Sequence, residues 1–162
     1  MLNNRDFNGY LRRRIPHDLD KTVEEFVQAF RSARPQGRQE LISGLTPRAA
    51  GVLSSFGERM AAVAVRTRSI GYLRLGLVAV GLAEGRLDDP RTNLVVLAAI
   101  HHSATEIGSS LADLIDDVAV DLSGQAVATF RAFAQRDNYD KSLRVMGLGT
   151  AGQGEDFRYI SA

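Results

Sequence analysis

Residues 70–100 read IGYLRLGLVAVGLAEGRLDDPRTNLVVLAAI, and this stretch decides the fold. A nearly continuous apolar block is split once, by Glu84-Gly85-Arg86-Leu87-Asp88-Asp89-Pro90. Asp89-Pro90 is a helix start, a capping carboxylate followed by a first-turn proline. The spacing predicts two helices, each buried on most of its circumference, joined by a short capped turn. Gly71, Gly76 and Gly81 recur every five residues in the first of them. Five residues advance about 500° around a helix, so these glycines fall on different faces and form no single seam. Each costs about 1 kcal/mol of helix propensity, and close helix packing must offset that loss. The longest uninterrupted apolar run, Leu75 to Ala83, is far shorter than the roughly 20 residues of a membrane span.

Outward from this block the chain is punctuated as helices. Upstream, Asp20 or Thr22 is placed to cap a first helix, and Thr22 with Glu25 has capping-box spacing. Val23, Phe26, Val27 and Phe30 make one apolar stripe, which Pro35 and Gly37 are expected to end. A short helix over Arg38–Ser43 follows. Thr46-Pro47 then opens a helix reaching Arg68, with Leu53, Phe56, Met60 and Val63 on one face and Glu58 and Arg59 outward. Downstream, the helix begun at Pro90 runs to about Glu106 and stops at Gly108. Ser109 or Ser110 caps the next, whose stripe is Leu111, Leu114, Ile115 and Val118. Ser123 caps the last, to about Arg136, with Val127, Phe130 and Phe133 inward. Beyond it the glycine-rich stretch Gly147–Gly154 separates two β-leaning pieces, Ser142–Met146 and Phe157–Ile160, which suit either a small hairpin or a tail.

The expected organisation is an N-terminal arm over residues 1–19, one α-helical domain over 20–136 and a glycine-rich C-terminal segment over 137–162. At 162 residues the chain fits a single domain with a core of its own. It contains no cysteine, which excludes disulfides, thiolate zinc sites and cysteine nucleophiles. The polar opening Met1-Leu-Asn-Asn-Arg-Asp-Phe has no secretory signal character, so the expected location is the cytoplasm. Net charge is +1, unevenly spread: residues 1–80 sum to +6 and residues 81–162 to −5. Two readings follow. The halves pack against each other, or the surface is bipolar and steers a charged partner.

Helix starts near 47, 70, 90, 110 and 123 give helical pairs of roughly 40 residues, near the HEAT repeat period. In this layout the segment Ile70–Ala119 resembles stacked helical hairpins of the HEAT type. That resemblance implies a scaffold that holds other proteins on a helical surface. The expected fold is all-α, about six helices packed as a short HEAT-like solenoid or as an irregular bundle.

Four groups of residues bear on chemistry. His102 and Glu106 share a helical face beside His101 and offer two metal ligands, but His17 is the only other histidine and H-E-x-x-H is absent. Asp113, Asp116, Asp117 and Asp121 form an acidic cluster late in one helix, where negative charge opposes the helix dipole. A solvated face and a binding surface are the readings of it. Gly147, Gly149 and Gly152 fit G-x-G-x-x-G without the strand and helix that give that pattern meaning. Arg12, Arg13 and Arg14, near Arg5, Phe7 and Tyr10, suit phosphate contact and stacking. A pI near 8.2 and an acidic second half argue against nucleic acid.

The function expected from the sequence is non-enzymatic protein binding, as an adaptor, a regulatory partner or an immunity-type inhibitor. Asp113, Asp116 and Asp117 would supply an acidic face and Arg12, Arg13 and Arg14 a basic arm. No cofactor, metal or membrane is expected. The alternatives are a small metal-dependent helical enzyme centred on His101, His102 and Glu106, and a HEAT-like nucleic-acid binder using the arginine-rich arm.

Overall fold

The computed structural model describes residues 19–135. These residues form seven α-helices and one 3₁₀ turn, with no strand among them. In order the helices are α1 Leu19–Ser32, α2 Pro35–Ile42, α3 Pro47–Thr67, α4 Ile70–Ala83, α5 Arg91–Glu106, α6 Leu111–Val118 and α7 Gly124–Ala134, with the 3₁₀ turn Ala119–Asp121 between the last two. The described region is all-α, with seven helices where about six are expected. The basic arm (all but Leu19) and the C-terminal segment, with its β-leaning pieces, lie outside the described residues.

Local chemistry accounts for most helix boundaries. Thr46 accepts a hydrogen bond from the Ala49 N–H at 3.1 Å, and Pro47 fills the first turn of α3. Ser110 caps α6 through the Asp113 N–H, and Ser123 caps α7 through the Ala126 N–H. Two boundaries differ from expectation. Thr22 caps nothing: α1 already begins at Leu19, so Thr22 lies inside the helix and is fully buried. Pro35 opens α2 instead of merely closing α1, because a proline that cannot continue one helix is preorganised to start the next. Asp89 caps as expected, its Oδ1 accepting from the Arg91 N–H at 3.0 Å, although α5 begins one residue past Pro90.

Helix α4 lies at the centre. It packs against α3, α5, α6 and α1, and every residue from Leu75 to Ala83 is buried. The expectation of all-round burial holds for α4 only. Helix α5 buries Asn93, Val96, Leu97, Ala98, Ile100, Ser103 and Ala104, while Arg91, Thr92, Val95, His102, Thr105 and Glu106 are exposed.

Helices α3 and α4 approach closely at Gly57 and Gly76. A Cβ on Gly76 would stand 3.1 Å from the Met60 Cβ and 3.2 Å from the Gly57 carbonyl oxygen. A Cβ on Gly57 would stand 3.1 Å from the Gly76 oxygen and run into the Val80 side chain. Gly81 faces elsewhere, against Leu122 and Phe130. The α4 glycines thus serve different neighbours, as their angular spacing requires, and Gly71 is exposed and serves none.

One buried polar group ties three helices together. Ser54 Oγ of α3 donates to Asn93 Oδ1 of α5 at 2.8 Å. Asn93 Nδ2 donates to the Val80 carbonyl of α4 at 3.1 Å and to Glu84 Oε1 at 3.0 Å. A buried amide used at both ends fixes register, because any slip leaves polar atoms without partners.

Gly57→Ala is expected to lower stability by about 1–3 kcal/mol through overpacking at the crossing. Gly51→Ala, in the same helix with nothing within 4 Å of its added Cβ, is expected to raise it by up to about 1 kcal/mol. Urea unfolding of both variants checks the pair, and equal effects would contradict the assigned crossing.

Candidate functional site

Helix α6 is amphipathic and sits at an edge. Its stripe of Leu111, Leu114, Ile115 and Val118 is buried, and the helix rests on α4, α5 and α7. Asp113, Asp116 and Asp117 fall on the opposite side and are exposed. Asp113 lies in the first turn, where the helix dipole favours a carboxylate. Asp116 and Asp117 lie in the last turn, where the dipole opposes them. Each meets an arginine there: Arg131 Nη2 donates to Asp116 Oδ1 at 3.0 Å, and Arg74 Nε to Asp117 Oδ2 at 3.1 Å.

Asp121 does not belong to this face. The chain leaves the α-helix at Val118 and turns through Ala119–Asp121, which sends Asp121 inward. Its side chain is only 8% exposed and meets two arginines. Arg31 Nε donates to Oδ2 at 3.1 Å and Arg38 Nη2 to Oδ1 at 2.6 Å. Arg38 also donates to the carbonyls of Ala33, Arg31 and Val120, at 3.3, 3.1 and 3.0 Å. Its guanidinium lies 4.6 Å from the centre of the Phe30 ring. This clamp fastens α1 and α2 to the turn after α6.

Between the clamped Asp121 and the end of α6 stands Val120. Its carbonyl is held by Arg38, yet its side chain is 82% exposed. The other exposed large apolar residue among the described ones, Val95, is 38% exposed. Sequence reasoning missed both Arg38 and Val120. Arg38 and Asp121 are 83 residues apart, and no local pattern links them.

His102 Nε2 lies 3.7 Å from Glu106 Oε2, while His101 is half-buried beside the core. Among the described residues no group of three or more His, Cys, Asp or Glu side chains is placed to hold a metal ion. Nor is any described helix long and apolar enough to cross a membrane. Arg12, Arg13, Arg14 and His17 lie outside the described residues, as do Gly147, Gly149 and Gly152.

No family model, curated protein or solved structure matches the chain.

Asp121→Ala is expected to cost about 2–4 kcal/mol. That lies below the roughly 3–5 kcal/mol for breaking a fully buried pair, because Arg31 and Arg38 remain 29% and 22% exposed and keep some hydration. Chemical denaturation measures it, and a loss below about 0.5 kcal/mol, the usual scale of a surface change, would mean that the clamp is decorative.

A second prediction concerns acid. Burial, and then the neighbouring His102, hold His101 below its ordinary value of 6.5. The unfolded chain therefore takes up a proton near that pH while the folded chain resists it. Stability is full above this value and falls as the pH drops below it. Between about pH 7.5 and about pH 5.5 the wild type is expected to lose more thermal stability than His101→Gln. Equal losses would show that His101 does not contribute.

Proposed function

We propose that this chain is a non-enzymatic protein-binding module, an adaptor, regulatory partner or immunity-type inhibitor, that docks through the edge formed by α6 and the following turn. The observation that carries this reading is Val120, an apolar side chain 82% exposed on a backbone held by Arg38 and flanked by the clamped Asp121. An exposed valine on a fixed turn is a preformed anchor, since little conformational freedom remains to be lost on binding.

Asp113, Asp116 and Asp117 form the acidic border of that anchor. Their pairs with Arg131 and Arg74 are solvent-exposed, each worth about 0–1 kcal/mol, so a partner's cations can replace the arginines at small cost. Affinity then comes from the apolar anchor, and charge sets the rate and selectivity of encounter. We read the layout as an irregular bundle around α4 rather than a solenoid. Helix α4 is reached by α1, α3, α5 and α6, whereas solenoid units meet only their neighbours. The HEAT resemblance then lies in helix spacing and in the use of a helical surface.

Affinity capture from the native host tests the proposal. Wild type is expected to recover a specific partner that both Val120→Asp and the triple Asp113/Asp116/Asp117→Ala variant lose, with the circular dichroism of all three unchanged. Absence of a specific partner, or equal recovery by all three proteins, overturns it.

A further inference from the structure

Val120 also stands on the rim of a cleft of about 500 Å³ between α2, the end of α4 and the junction of α6 with α7. Phe30, Pro35, Ile42, Leu82 and Leu122 supply its apolar lining. A second hollow of about 550 Å³ adjoins it along α2, and Gln39, Ile42 and Arg86 line both.

The charged groups in the cleft are of two kinds. Arg38 and Asp121 are committed to each other. Arg86 is half-buried and donates from Nη1 to the Leu82 carbonyl at 3.1 Å. No carboxylate among the described residues pairs with it, and its other N–H groups have no partner among them. Glu40 lines the second hollow only, and has an interaction of its own. An apolar floor therefore lies beside one guanidinium with donors to spare.

We propose that this cleft seats a short segment of a partner protein in which an apolar side chain is followed by a carboxylate. The apolar group lies on the floor and the carboxylate accepts from Arg86. This inference rests on the protein-binding reading above and names the chemistry of the partner. Charge complementarity selects the occupant. A basic segment would meet Arg86 with like charge, and a wholly apolar one would strip water from the guanidinium without replacing its hydrogen bonds. Because Val120 lines the same cleft, the bound segment covers the exposed valine as well.

The test uses the intact chain and two fluorescent peptide pools, one with a fixed Leu-Glu centre and one with Leu-Lys, all other positions mixed. Fluorescence anisotropy is expected to show binding of the Leu-Glu pool only. Arg86→Glu is expected to weaken it at least about tenfold, the scale of one charge-assisted hydrogen bond. Arg86→Glu also removes a bond to the Leu82 carbonyl, so Gln39→Glu serves as a second variant. It puts a negative charge on the same wall, breaks no side-chain hydrogen bond among the described residues and is expected to weaken binding in the same direction. No binding at millimolar peptide, equal binding of the Leu-Lys pool, or affinity unchanged in both variants overturns the cleft proposal. If the cleft fails while Asp113/Asp116/Asp117→Ala still loses the host partner, protein binding stands without it. If both fail, the protein-binding reading fails too.

Discussion

The close approach of α3 and α4 at Gly57 and Gly76 is the constraint on which the rest of the fold depends. A Cβ at either position would press on backbone or a Cβ of the other helix at 3.1–3.2 Å, and at Gly57 it would also displace the Val80 side chain, so the pair of glycines suits this distance. Each glycine weakens its own helix by about 1 kcal/mol, and the packing gained along the contact offsets that. With α3 seated this closely, α4 can be enclosed by α5, α6 and α1 on its remaining sides. The Ser54–Asn93 pair then fixes where α5 stands along both helices. Packing sets the distance and the polar pair sets the register.

Charge performs a different task. The first half of the chain is positive and the second negative, and among the described residues three ion pairs join them: Arg31 and Arg38 to Asp121, and Arg74 to Asp117. Part of the imbalance is therefore spent on holding the halves together. The Asp121 pairs are the buried members, and burial makes them directional: both carboxylate oxygens and three backbone carbonyls are matched by two arginines. Breaking one contact strands the others, so the turn after α6 has one arrangement. The pairs of Asp116 and Asp117 are exposed and exchangeable, which distinguishes a surface available to a partner from a clamp that is not.

What the sequence made legible was local. Thr46, Ser110 and Ser123 cap helices through N–H groups three residues away, within the reach of a pattern. The stripes of α1 and α6 read correctly for the same reason. Pro35 reads as a helix end and the short helix as starting at Arg38, yet Pro35 itself opens that helix, because one residue type both ends and begins helices. The spacing of Gly76 and Gly81 told that they face different ways but not what they face. Asp121 was misplaced with its acidic neighbours because the 3₁₀ turn rotates it away, and its arginines lie in α1 and α2. At the candidate site the carboxylates of α6 were visible as a pattern. The exposed Val120 beside them was not, since an isolated valine carries no signal.

That isolation also bears on what Val120 is for. The fold needs something from position 120, but the need is a backbone carbonyl for Arg38, which any residue supplies. The side chain contributes nothing to the core it leaves, and a valine in water forgoes the roughly 1.5–3 kcal/mol that burial would yield. Asp121 beside it is determined by its two arginines, and Val118 before it by the core. Of the two residues between them, Ala119 is half-buried and only Val120 is exposed. In the docking proposed above, an apolar group there would act when a second surface removes it from water. The same turn that commits Asp121 inward holds Val120 outward, so the clamp that completes the fold also sets the direction of the proposed anchor.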